Sequence, residues 1–132
     1  MKAFRHAVEA RDVDAVAALL ADDVVFTSPV AHTPYPGKAI TLAILANVIE
    51  VFENFRYVRE IGADGAADSA LVFTAEVDGK QLTGCDFIHV NDEGLIDEFM
   101  VMVRPLSGAN ALAAAMGARF EQIAEQAAAY SG

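Results

Sequence analysis

The run Leu82–Pro105, LTGCDFIHVNDEGLIDEFMVMVRP, holds two strand-like segments joined at Asn91-Asp92-Glu93-Gly94. Read with a two-residue period, Leu82, Gly84, Asp86, Ile88 and Val90 share one face of the first segment, and Cys85 and Phe87 share the other. On the returning segment Phe99, Val101 and Val103 alternate with Met100 and Met102. The hairpin is therefore apolar on both sides, with one acid in the middle of an apolar row. An ionised carboxylate is costly there. Either buried hydrogen bonds tie it down, or the face lines a cavity in which an acid has a task.

Upstream, Ala70–Val77 alternates Leu71, Phe73, Ala75 and Val77 against Val72, Thr74 and Glu76. Asp78-Gly79 joins it to the opening run as a two-residue turn of type I′, whose central residues both need positive φ. Gly62-Ala63-Asp64-Gly65 marks another turn, and Phe55–Ile61, which alternates loosely, is a further strand. Strands joined by successive hairpins predict a curved antiparallel sheet.

Before the sheet, Ile40, Ile44, Val48, Val51, Phe52 and Phe55 recur at helical spacing and predict an amphipathic helix over Lys38–Glu53, about four turns long. It follows SPVAHTPYPG, Ser28–Gly37, whose prolines fix φ and remove backbone donors, so that neither a helix nor a central strand can run through it. Val24–Thr27 is β-branched and aromatic enough for a strand. Phe4 with Val8, and Val13, Val16, Leu19 and Leu20, give two short helices, the second capped by Asp12. After Pro105 the alanine-rich Leu106–Gly132 predicts one terminal helix with Leu112, Met116, Phe120, Ile123 and Ala127 on one side.

The chain has 132 residues, one domain's worth (residues 1–132), and folding at that size removes roughly two thirds of the surface from water. Although 55% of it is hydrophobic, its apolar runs fall short of the roughly 18 residues of a membrane span, and no basic stretch opens the chain. A soluble, cytoplasmic protein is expected. The single cysteine, Cys85, and three scattered histidines form no metal-ligand pattern, so no metal and no cofactor are expected. A net charge of −10 opposes nucleic acid and anionic membranes as partners.

The order helix, helix, strand, proline loop, long helix and four strands resembles the nuclear transport factor two-like cone. Ketosteroid isomerase, scytalone dehydratase, limonene epoxide hydrolase and polyketide-cyclase-like proteins share that fold. ADDVVFTSPV (Ala21–Val30), the proline loop ending at Gly37, and DFIHVNDEGLI (Asp86–Ile96) are similar to the ketosteroid isomerase branch. The resemblance implies an α+β cone with N-terminal helices packed on the curved sheet, plus a C-terminal helix. In that isomerase a carboxylate base moves the proton while a tyrosine and a protonated aspartic acid hold the oxyanion. Asp86 falls on the oxyanion acid. Ser28 falls on the base and Phe4 on the tyrosine, and neither supplies the group required, so the resemblance implies the pocket and one acid without the isomerase mechanism.

Asp86 is the candidate catalytic residue, with a raised pKa expected from its apolar surroundings. Leu71, Phe73, Ile88, Phe99, Val101 and Val103 are expected around it as ligand-binding walls, with Phe4, Ser28 and Phe52. Tyr57 is expected to reach into the pocket, and His32 and Tyr35 to stand at its mouth. Arg56, Arg59 and Arg104 are candidate partners for the acid. Asp97 shares the pocket face by strict alternation, but its place beside the turn favours solvation. The expected ligand is a small hydrophobic, oxygen-bearing molecule, bound with or without isomerase-, cyclase- or hydratase-type acid chemistry. The alternative is a non-catalytic dimeric binding or scaffold module in which Asp86 is structural. Cys85, Phe87, Met100 and Met102 on the opposite face predict a homodimer through the outer side of the sheet.

Overall fold

The computed structural model describes residues 1–131. Helices α1 (Lys2–Glu9) and α2 (Val13–Leu19) lead into strand β1 (Leu20–Thr27). Asp12 caps α2 by accepting from the Ala15 amide at 3.0 Å, satisfying one of the donors a helix start leaves free. The proline loop contains the two-residue strand β2 (Tyr35–Pro36), followed by helix α3 (Lys38–Val51). Strands β3 (Glu53–Ile61), β4 (Asp68–Val77), β5 (Lys80–Val90) and β6 (Ile96–Arg104) then run as hairpins. Asp78 and Gly79 take φ of 50° and 75°, as a type I′ turn requires. Asn91 closes the last turn by accepting from the amides of Glu93 and Leu95 at 2.9 and 3.0 Å, while Gly94 supplies φ of 78°.

The sheet order is β2-β1-β6-β5-β4-β3. It is mixed where alternation alone predicted antiparallel pairing, because β1 lies parallel to β6. Hairpin signals are local and specify β3 to β6. The place of β1 follows from bringing the first strand back beside the last, which no local signal records.

Two helices also differ from expectation. Helix α3 ends at Val51, and Thr41, Leu42, Ala43, Ile44, Leu45 and Asn47 are all buried, more than one amphipathic stripe accounts for. The reason is the C-terminal segment, which is two helices, α4 (Leu106–Gly117) and α5 (Phe120–Ala129), in place of one. Gly117, a weak helix former, ends α4, and α5 turns back onto α3. A polar clasp fixes it there. Buried Asn47 donates to the Ala43 carbonyl and to Gln126 Oε1, both at 2.7 Å, and accepts from Gln122 at 3.1 Å and Arg119 at 3.3 Å. Gly132, the last residue of the expected helix, lies outside the described residues.

All of this places the helices on one side of the sheet. Phe4 of α1 packs on Phe99 at 5.0 Å between ring centroids, and Gly108 of α4 lies so close to Leu82 that a Cβ would sit 2.7 Å from the Leu82 Cβ. Among the described residues no helix covers the other side of β4, β5 and β6. Phe87 is 40% exposed and Met102 54% exposed there.

Candidate ligand-binding site

Asp86 occupies the centre of β5, in register with Leu71 of β4 and Val101 of β6, and is 6% exposed. Burial pushes its pKa from 3.8 up to about 7, and a hydrogen bond from Tyr57 pulls the other way. The Tyr57 hydroxyl donates to Asp86 Oδ2 at 3.4 Å, a long contact. Among the described residues this is the only side-chain hydrogen bond Asp86 makes. Burial, and then the Asp86 charge, push the Tyr57 hydroxyl well above the usual tyrosine range, so it stays protonated. Near neutral pH the pair thus holds one or two protons facing an apolar space, and both groups can donate when Asp86 is protonated.

That space is a cavity of about 560 Å³ between the sheet and the helices, a volume suited to a drug-sized ligand. Its walls are aromatic. Phe26 stacks on Phe99 at 5.9 Å, and Phe73 meets Phe52 at 5.4 Å and Phe55 at 5.1 Å. Gly84 makes room for the Phe73 ring, since a Cβ there would lie 2.2 Å from Phe73 Cζ. The roof comes from Leu112, Met116, Phe120 and Ile123 of the two C-terminal helices. Tyr35 of the proline loop approaches Phe120 at 6.4 Å and closes one side. The polar lining outside the Asp86–Tyr57 pair is half-buried Ser28 and Tyr35 with exposed Glu9 and Arg11; Arg56, which alternates with Tyr57 on the edge strand β3, touches the cavity only at the sheet edge and belongs to the outer face. The cavity is therefore mainly apolar inside, with one donor pair deep in it and charges at its rim.

Of the residues expected at the site, Phe4, Ser28, Tyr35, Phe52, Tyr57, Phe73, Asp86, Phe99 and Val101 line the cavity. His32 does not; it is exposed on the proline loop. Leu71, Ile88 and Val103 share the inner face but do not line it. Leu71 and Ile88 are buried and Val103 half-buried against the core. Alternation specifies the face and not how far along a strand the cavity extends. The roof residues were legible only as the apolar stripe of a terminal helix, with nothing local to say what they cover.

Arg56, Arg59 and Arg104 form no ion pair with Asp86. Asp97 is not on the pocket face. Val90 pairs with Ile96 and His89 with Glu98, so Asp97 is the extra residue of a β-bulge. The bulge turns Asp97 outward, where its Oδ1 lies 2.6 Å from His89 Nδ1; that hydrogen bond raises the His89 pKa. Cys85 is half-buried on the same outer face, and burial pushes its thiol up, away from a reactive thiolate.

The profile of the SnoaL-like domain matches residues 1–99. The chain belongs to the SnoaL-like family. Among solved structures, a steroid delta-isomerase from Pseudomonas aeruginosa is 39% identical at a TM-score of 0.85, covering 90% of this chain and 87% of its own. A Silicibacter pomeroyi protein with a cystatin-like fold is 34% identical at 0.84, covering 95% and 92%. A Mycobacterium tuberculosis protein solved with estradiol-17beta-hemisuccinate is 22% identical at 0.60, covering 79% of this chain and 94% of its own, and is similar in fold. No curated protein matches the chain. Membership and the aromatic cavity agree on a SnoaL-like, ketosteroid-isomerase-like α+β cone. No helix among the described residues is long and apolar enough to cross a membrane.

Proposed function

We propose that this SnoaL-like protein binds a small hydrophobic molecule carrying a carbonyl or phenolic oxygen, and that the oxygen is held by Asp86 and Tyr57. The observation that carries the reading is the loosely partnered acid. A structural carboxyl buried in a core is normally satisfied by short hydrogen bonds from the protein. Asp86 has one, at 3.4 Å, and faces a cavity of about 560 Å³. A ligand oxygen placed between the two hydroxyls accepts from both.

Acid chemistry fits the same pair. A protonated carboxyl and a phenol polarise a carbonyl and stabilise the negative charge that develops on it. Proton abstraction from carbon requires a base, and Ser28 stands on the cavity wall where the resemblance calls for one. The cavity's other carboxylate, Glu9, is exposed at the rim and paired with Arg5 at 3.4 Å. The reading therefore takes polarisation, in a cyclase- or hydratase-type step, ahead of isomerisation. Thermal melts with a naphthol and its methyl ether test the binding part. The naphthol should stabilise the protein by about 2.7 kcal/mol at a hundred times its dissociation constant. Asp86→Asn should weaken that binding, whereas equal stabilisation of the variant, or none of the wild type, sinks the reading.

The same reading takes a second copy of the chain as partner. Among the described residues helices cover the inner side of the sheet, and the outer side presents Cys85, Phe87, Met100 and Met102 as an apolar stripe.

A further inference from the structure

Charge is unevenly placed along the outer face of the sheet. At one end, Arg56, Thr74, Thr83 and Arg104 form a row in register across β3, β4, β5 and β6. Among the described residues neither Arg56 nor Arg104 has an ion-pair partner. Beyond that row lies the rim with Glu53 and Glu76, the latter accepting from Asn54 at 3.3 Å. In the middle come Val72, Cys85 and Met102, then Ala70, Phe87 and Met100, with Arg59 on the β3 flank. At the other end Asp68, His89 and Glu98 are in register, and the bulge adds Asp97 to the same side.

Two apolar faces related by a twofold axis can meet in two ways. With the axis along the strands each row falls over the same row of the other copy, so the arginine row meets the arginine row and acid meets acid. With the axis across the strands, one end meets the opposite end. We propose that two copies stack outer face on outer face with strand directions reversed about the Asp86–Val101 pair, so that Arg104 of each copy meets Asp97 and Glu98 of the other. This rests on the homodimer reading and adds its geometry. Reversal about that pair sets Met100 over Met102 and Cys85 over Phe87, keeping the apolar stripe on itself. It also carries Asp68 over Thr74, beside Arg56. Sheets stacked roughly 10 Å apart leave Arg104 able to span the gap with its own length. The tilt of roughly 30° between aligned sheets leaves the order of the ends unchanged. Opposed like charges would be costly and paired unlike charges specify the orientation.

A charge swap tests the geometry by sedimentation velocity at low salt, with thermal melts confirming that each variant folds. Arg104→Glu alone and Glu98→Arg alone should each weaken self-association about tenfold. Both substitutions in one chain should restore it to near the wild-type value. Within one copy the two positions are roughly 20 Å apart along β6, too far to couple directly, so such restoration reports a meeting between copies. If the wild type dimerises but the two substitutions merely add, or leave association unchanged, the reversed orientation is wrong and the dimer stands. If the wild type is a monomer at 100 μM, the homodimer reading falls and this geometry with it.

Discussion

The two faces of β5 are one residue apart in the chain and opposite in what they demand. On the inner face Gly84, Asp86 and Ile88 are buried; on the outer face Cys85 and His89 are half-buried and Phe87 is exposed. Inside, a single carboxyl dominates the energetics because it has lost water and gained one long hydrogen bond. Outside, no residue dominates, and the apolar stripe acts by area and the charges by position. A polar group is expensive where solvent is excluded and cheap where it is not, so the same substitution type should have very different effects on the two sides.

Asp86→Asn should show the largest effect. Between pH 3.8 and about 7 the folded protein keeps a proton on Asp86 that the unfolded chain has released. The cost of the buried acid is therefore absent below that window, grows as pH rises through it, and is constant above it. The full span is on the order of 4 kcal/mol. Urea midpoints of wild type and variant should accordingly diverge in the variant's favour from pH 4.5 to pH 8, and parallel curves would show that Asp86 does not titrate in the core.

Gly84→Ala comes next, with an expected loss of roughly 1–3 kcal/mol in stability, because the Phe73 ring fills the space and is itself held by Phe52, Phe55 and Tyr57. An unchanged melting temperature would mean that the inner wall gives way. Tyr57→Phe should weaken naphthol binding by about 1 kcal/mol, read by calorimetry, and should raise the pH at which Asp86 ionises, since the lost hydrogen bond was lowering it. On the outer face, Met102→Ser should change the stability of the single copy by less than about 0.5 kcal/mol, measured where association is negligible, while self-association weakens. A large loss of monomer stability would mean that the outer face is packed within one chain.

The alternation of β4 to β6, the two-residue turn at Asp78-Gly79 and the acid set in an apolar row were legible because each is a local signal with a period or a φ requirement. From them, and from the cone they resemble, came the fold class and most of the inner wall. The bulge at Asp97 was not legible: one extra residue reverses the side a chain presents, and nothing in EGLIDEF marks it. The return of α5 onto α3 was equally hidden: Gly117 marks a weak point among alanines, but the side α5 packs on is set by Asn47, far off in the chain, which donates to Gln126 and accepts from Gln122.

By itself, then, the sequence determined which strands pair as hairpins and that Asp86 sits among apolar neighbours, because the turns and the two-residue alternation are matters of short-range geometry. Only the tertiary structure decided that β1 runs parallel beside β6, that α4 and α5 roof a cavity over Asp86, and that the acid has a single long partner in Tyr57. Those depend on contacts between residues far apart in the chain, where burial and packing, and not local preference, select the arrangement.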